Sequence, residues 1–187
     1  MQSIYRYKKH NVLLCPMDLS DSSIAAYTEW ANDEDILKWT GGAGTVMTEN
    51  QQKELVSHMI DTSQSLHFNI RYEMENSHYL VGNCELVQVG NPIDRCYKVN
   101  LYVGSKTYWN KGIGVTAMSL LIDIAFKQLN ANNVIATLRA DNTRGFRCCR
   151  KAGFKVCGRI RNMIFYDGEY IDCLIMQVLQ SDVRREI

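Results

Sequence analysis

The sequence predicts a mixed α/β domain, and three patterns point to it. Strand candidates follow one another over residues 66–73, 79–89 and 97–104. A glycine-rich turn at Gly112-Ile113-Gly114 then opens a strongly periodic helix. Behind it come a strand, a short helix and a closing hairpin. Antiparallel hairpin strands leading into a β-α-β unit are not the pattern of a doubly wound parallel sheet.

Taken in order, Val12-Leu13-Leu14-Cys15 reads as a first strand. Asp21 can cap a helix that carries Ile24, Tyr27 and Ala31 on one face. Thr48 and Gln51 have the spacing of a capping box, with Leu55, Val56, Met59 and Ile60 following at helical period. The three strands come next, the last two separated by a turn at Asn91-Pro92. The helix from Gly112 to about Leu129 has Met118, Leu121, Ile122, Ala125 and Leu129 as its apolar stripe. Val134 to Ala140 reads as a strand and Thr143 to Lys151 as a helix. Two strands around Tyr166-Asp167-Gly168 close the chain.

With 187 residues, two prolines and no repeat or linker, the chain is expected to form one domain over residues 1–187. No apolar run is long enough to cross a bilayer. The first nine residues carry charge with no hydrophobic stretch behind it, so a secretory signal is not expected and the expected location is the cytoplasm. The seven cysteines are odd in number and contain no C-x-x-C pair. That favours reduced, mostly buried thiols over a zinc site, and no metal is expected.

Charge is unevenly distributed. Residues 1–103 hold 8 Lys/Arg against 13 Asp/Glu, and residues 104–187 hold 13 against 7. An acidic half suits a cationic substrate, and a basic half a phosphorylated ligand. No basic run with interleaved aromatics points to nucleic acid.

The segment Gly112-Ile113-Gly114-Val115-Thr116-Ala117 fits G-x-G-x-x-A, the dinucleotide fingerprint. Its context argues against that reading. The fingerprint belongs to a first β-α-β unit, yet several strands precede this one. The following strand has Ala136-Thr137-Leu138 where an acidic residue should stand. The physics of the segment still calls for an anion. Glycines remove the Cβ atoms that block close approach, and a helix start presents amides with no partner in the helix. A pyrophosphate, from a dinucleotide or from coenzyme A, is the ligand to expect.

Residues Tyr102 to Gly114 resemble the strand-loop-helix of the GNAT acetyltransferases, whose pattern is R/Q-x-x-G-x-G/A. Asn142 to Phe154 is similar to the family's second signature, an Asn opening a helix that ends in K-x-G-F. Trp30-Ala31-Asn32-Asp33 and Asp167-Gly168-Glu169-Tyr170-Ile171-Asp172 resemble the RimJ/RimL-like branch. The resemblance covers roughly residues 10–178. It implies a central, mostly antiparallel, twisted sheet of about six or seven strands flanked by about four helices.

The resemblance also implies a ligand and roles. Acetyl-CoA is the acetyl donor. The backbone of Leu101, Tyr102 and Val103 pairs with the pantetheine arm. The pyrophosphate lies on the amides of Asn110, Lys111, Gly112, Ile113, Gly114 and Val115, with Trp109 standing where the pattern has Arg or Gln. Asn142, Phe146 and Arg147 lie along the cofactor; an N-cap role for Asn142 is compatible with this.

Where many relatives have a Tyr that protonates the departing thiolate, this chain has Cys149. An ordinary thiol has a pKa near that of the leaving group, so Cys149 could serve as the acid or be a small buried residue. Glu85 is the candidate base, with Asn100 as a possible water holder; His67 and His78 have nothing in the sequence placing them at a site. The acceptor is a small-molecule amine (a polyamine, an aminoglycoside-like compound or an amino sugar), a protein N-terminus, or, in a non-catalytic acetyl-CoA-binding module, nothing. No nucleic acid or membrane partner is expected, and a homodimer is compatible with the family.

Overall fold

The computed structural model describes residues 7–41 and 46–183. The leading segment read for a targeting signal lies in part outside them. Among the described residues, eight strands and six α-helices make a mixed α/β fold, against an expectation of six or seven strands and four helices. The strands form an open sheet in the order β1-β2-β3-β4-β5-β6-β8-β7. They are β1 (Tyr7–Lys9), β2 (Val12–Pro16), β3 (Ser65–Met74), β4 (Ser77–Val89), β5 (Cys96–Val103), β6 (Asn133–Arg139), β7 (Lys155–Tyr166) and β8 (Glu169–Leu179). The helices are α1 (Asp21–Ala31), α2 (Glu34–Thr40), α3 (Glu49–Asp61), α4 (Ile113–Lys127), α5 (Thr143–Lys151) and α6 (Gln180–Val183).

The chain gathers into two compact units. One comprises Met1–Glu85 with Leu101–Leu120, the other Leu86–Asn100 with Leu121–Ile187.

In the first unit β1, β2 and β3 pair antiparallel, with Leu14 opposite Ile70 and Cys15 opposite Asn69. Helix α1 is capped by Ser20, whose side chain accepts from the Ser23 amide. This corrects the expectation for Asp21, which stands one residue inside the first turn, where its charge meets the positive end of the helix. The expected capping box forms on α3: Thr48 accepts from the Gln51 amide, and the Gln51 side chain accepts from the Thr48 amide. Met17, Ile24, Tyr27, Trp30, Ile36 and Val56 make this unit's apolar cluster, with Tyr102 and Trp109 packed against it.

Helix α2 was not expected. Asp33 caps its start by accepting from the Asp35 amide, and Gly41 ends it at φ 80°. A left-handed terminal residue at that angle is where glycine is favoured over a residue with a Cβ.

In the second unit β5 pairs parallel with β6 over Cys96–Lys98, and β8 pairs antiparallel with β6 and β7. Strand β7 is bulged between Val156 and Gly158 and again between Ile160 and Ile164. It stands at the end of the strand order and is exposed along most of its length.

Candidate functional site

The loop after β5 is built by three contacts within the first unit. The Trp109 indole Nε1 donates to the Val103 carbonyl at 2.6 Å, tying the loop back to the strand it left. The Gly104 Cα faces the Trp30 ring so closely that an added Cβ would stand 2.1 Å from it. Glycine is therefore required by space, and the early Trp30 motif acquires a purpose. Lys106 makes ion pairs with Asp33 at 2.8 Å and Asp35 at 2.5 Å, holding the loop to the start of α2. Both Lys106 and Asp35 are solvent-exposed, so these pairs position the loop more than they stabilise the fold.

Beyond Trp109 the backbone passes through left-handed conformations at Asn110 (φ 61°) and Gly112 (φ 77°) before α4 begins. The first helical turn closes where the Thr116 amide donates to the Gly112 carbonyl at 3.1 Å. The amides of Ile113, Gly114 and Val115 thus lie ahead of the α4 ladder, at the positive end of a 15-residue helix. This is the donor arrangement that a pyrophosphate fits. Lys111 is held over the Tyr108 ring, 5.0 Å from its centroid.

The candidate base lies in the same unit. Glu85 Oε2 stands 3.0 Å from His67 Nδ1, with the two side chains 22% and 8% exposed. The approach is off the line of a hydrogen bond. His67 Nε2 is 2.7 Å from the Ser65 hydroxyl. Strand β3 supplies both Ser65 and His67 by its alternation, and Glu85 comes from β4. His67 is thus a neighbour of the candidate base that sequence reasoning could not place. Its partner is eighteen positions away in the chain and is reached only when the strands come together.

Tyr102 is half-buried, and desolvation of its hydroxyl first, then the charges of Tyr27 and Glu85, pushes its pKa well up. Gly82 lies so near the Tyr102 carbonyl that a Cβ would meet it at 2.2 Å, which explains a glycine in mid-strand. The three β5–β6 pairs end at Lys98, so Leu101, Tyr102 and Val103 lie beyond them. The same unit holds a polar chain that runs from buried to half-buried residues. The Tyr27 hydroxyl donates to Asn69 Oδ1 at 2.5 Å, Asn69 Nδ2 donates to Asp18 at 3.0 Å, and Arg71 meets Asp18 at 3.4 Å.

The second unit carries the other expected residues. Asn142 caps α5, its Oδ1 accepting from the Gly145 amide at 2.8 Å. Gly145 is tight there, because an added Cβ would sit 2.9 Å from the Asn142 side chain. Phe146 is half-buried and Arg147 exposed. Cys149 is buried, and burial pushes its thiol up to about 11. Its neighbour Cys148 is pushed up to about 12, by burial and then by Cys149. The helix closes through Gly153 (φ 98°), with the Phe154 amide donating to the Cys149 carbonyl and the Phe154 ring fully buried. This is what the K-x-G-F ending does physically.

Among the described residues, no group of His, Cys, Asp or Glu side chains could hold a metal ion. No described helix is long and apolar enough to cross a membrane.

Comparison with known proteins bears on the family and the fold. A family model described as an acetyltransferase (GNAT) domain matches residues 11–155. The spermidine N(1)-acetyltransferase of Escherichia coli is 27% identical over 116 residues, covering 62% of this chain and 61% of that protein. The match therefore spans about three fifths of that relative's length. The crystal structure of spermidine N-acetyltransferase from Vibrio cholerae, in complex with CoA and spermine, superposes with a TM-score of 0.81 at 19% identity. It covers 93% of this chain and 98% of that one. The ribosomal-protein-S5-alanine acetyltransferase of Vibrio fischeri also gives 0.81, at 16% identity over 95% of this chain and 98% of that one. At these identities the structural likeness speaks for the fold.

Proposed function

The chain belongs to the GNAT acetyltransferase family, and on that premise we propose that it transfers the acetyl group of acetyl-CoA to a primary amine of a small cationic molecule. The observation that carries this reading is the loop before α4, where successive amides lie ahead of the helix ladder behind two left-handed residues. Bound there, acetyl-CoA supplies an activated acetyl thioester.

Each residue then has a defined task. The amides of Asn110 to Val115 hold the pyrophosphate, and the backbone of Leu101, Tyr102 and Val103 aligns the pantetheine arm. As the family resemblance implies, the Val103 amide is the group offered to the carbonyl oxygen as negative charge develops there. Asn142, Phe146 and Arg147 are assigned to the same cofactor.

Glu85 accepts the proton of the attacking amine. An alkylammonium of pKa near 10.4 is neutral in only about one molecule per thousand at pH 7, a deficit of roughly 4–5 kcal/mol. A half-buried carboxylate offsets this by binding the ammonium and then taking its proton. Cys149 is the group offered to the departing thiolate. Its thiol, at about 11, stays protonated at neutral pH. Donation to a thiolate of ordinary affinity, near 8.5, is uphill by about 3 kcal/mol.

The acidic first half of the chain and the spermidine-acetylating relative both support a polyamine or similar polycation as acceptor. The likeness to a ribosomal-protein acetyltransferase supports a second reading, transfer to a protein N-terminus. The deciding measurement is coenzyme A release from acetyl-CoA with the purified protein. Spermidine, spermine, amino sugars and N-terminal peptides serve as acceptors. Turnover on polyamines with none on peptides is the expected result; peptide-only turnover selects the second reading. Acetyl-CoA binding without turnover on any acceptor makes the chain a binding module.

A further inference from the structure

We propose that His67 is a positioning residue which, anchored by Ser65, fixes the Glu85 carboxylate and sets its affinity for the acceptor's proton. The inference rests on the reading of Glu85 as base and adds a second residue to it. The His67 side chain is 8% exposed, so its ring is fixed by what it touches. One edge meets Ser65 Oγ at 2.7 Å and the other meets Glu85 Oε2 at 3.0 Å. A buried imidazole between a hydroxyl and a carboxylate restricts both its own ring flip and the rotamer of the acid.

When the Ser65 hydroxyl accepts from Nε2–H, Nδ1 presents its lone pair to the carboxyl and favours the protonated acid. When Nδ1 carries the proton, it favours the carboxylate. The base is thereby poised between two states by a neighbour rather than by its own exposure. The off-line approach of Nδ1 fits a pair that tightens only when a proton or an ammonium arrives.

The other titratable groups around the pair do not duplicate this role. Burial, with help from the Glu85 charge, keeps Tyr102 and Cys84 protonated. On the flanking elements, Asp18 is engaged with Arg71 and Asn69. His67 is the group whose ring nitrogen faces the Glu85 carboxylate, at 3.0 Å.

The test uses the full chain with acetyl-CoA and the best acceptor from the panel. His67→Ala is expected to lower kcat by about tenfold to a hundredfold through misplacement of the base. The KM for acetyl-CoA should stay within about twofold, since that ligand's binding residues are untouched. The acidic limb of the kcat/KM profile should move by about one pH unit, up where Nδ1 had carried the proton and down where it had presented its lone pair. His67→Asn, which keeps an amide near the Nδ1 position, should recover most of kcat. Ser65→Ala, at a half-buried position and milder for folding, should also move that limb, because the ring loses the partner that selects its tautomer.

Superimposable pH profiles for wild type, His67→Ala and Ser65→Ala, with Glu85→Gln inactive, overturn the positioning role alone. Full activity in Glu85→Gln overturns the base assignment and the positioning role together.

Discussion

In the first unit, buried and half-buried polar groups reach one another: Tyr27 to Asn69 to Asp18 to Arg71, and Ser65 to His67 to Glu85. In the second, the candidate acid is a thiol whose pKa is raised by burial alone, with only the backbone of Cys149 lowering it. The difference concerns what each arrangement does with a proton. A connected set of hydroxyl, amide, imidazole and carboxylate can hold charge, because each change at one member is answered by the next. An isolated buried thiol resists charge and stays neutral. On the proposed reading, proton removal from the acceptor falls to the first arrangement, and the second supplies at most a reluctant donor.

The strongest break of this comparison is Glu85→Gln. The amide keeps the shape and removes the charge, so kcat should fall about 10²–10⁴-fold, the usual worth of a general base. Acetyl-CoA affinity by titration calorimetry should hold, since the glutamate is not among the amides that take the pyrophosphate. A kcat within about threefold of wild type would move the base elsewhere and leave the polar set a purely structural feature.

Tyr27→Phe acts on stability. Deleting the hydroxyl leaves Asn69 Oδ1, on a residue with no exposed surface, without its donor. An unsatisfied buried acceptor costs about 1–3 kcal/mol, to be read as a lower urea midpoint at unchanged m-value. Loss of less than about 0.5 kcal/mol would mean that water or a side-chain flip replaces the donor, and that the polar chain is less tightly joined than its distances imply.

These residues also show what a sequence reveals and what it conceals. The α3 capping box and the Asp167-Gly168 hairpin turn are local signals that appear where the spacing placed them, as does the α4 stripe except Leu129, which falls past the helix end at Lys127. Helix α5 was predicted to its end residues, because an Asn cap and a Gly-Phe stop bracket it. Strand β1 went unread, since three residues held only by pairing with β2 carry no period of their own. Helix α2 was readable in principle from Asp33 at its start and Gly41 at its end, but seven residues give little stripe. In the candidate site the loop was visible as glycines, and Glu85 as an acid on a strand. The contacts of Trp30 with Gly104 and of His67 with Glu85 were not, because both join residues far apart in the chain.

The smallest expected effect falls on Cys149. If the thiol protonates the leaving group, Cys149→Ala should lower kcat, but the uphill transfer of about 3 kcal/mol limits what it can contribute. A decrease of no more than about tenfold is expected, with water taking over the donation. The same burial predicts poor reactivity. At pH 8 a thiol of pKa about 11 is ionised in roughly one molecule per thousand. Alkylation at that pH should therefore mark exposed Cys157 well before Cys149, as peptide mapping would show.

The sign with pH follows from the raised value. Below about pH 9 the thiol is protonated in both folded and unfolded chains. Between about 9 and about 11 only the unfolded chain ionises, so stability falls as pH rises through that window. Cys149→Ala should flatten part of this alkaline loss while leaving the acid side of the stability curve unchanged. A kcat loss of a hundredfold or more in Cys149→Ala, with the fold intact by its unfolding midpoint, would overturn the contrast between the two units. It would make the thiol a working acid despite its burial.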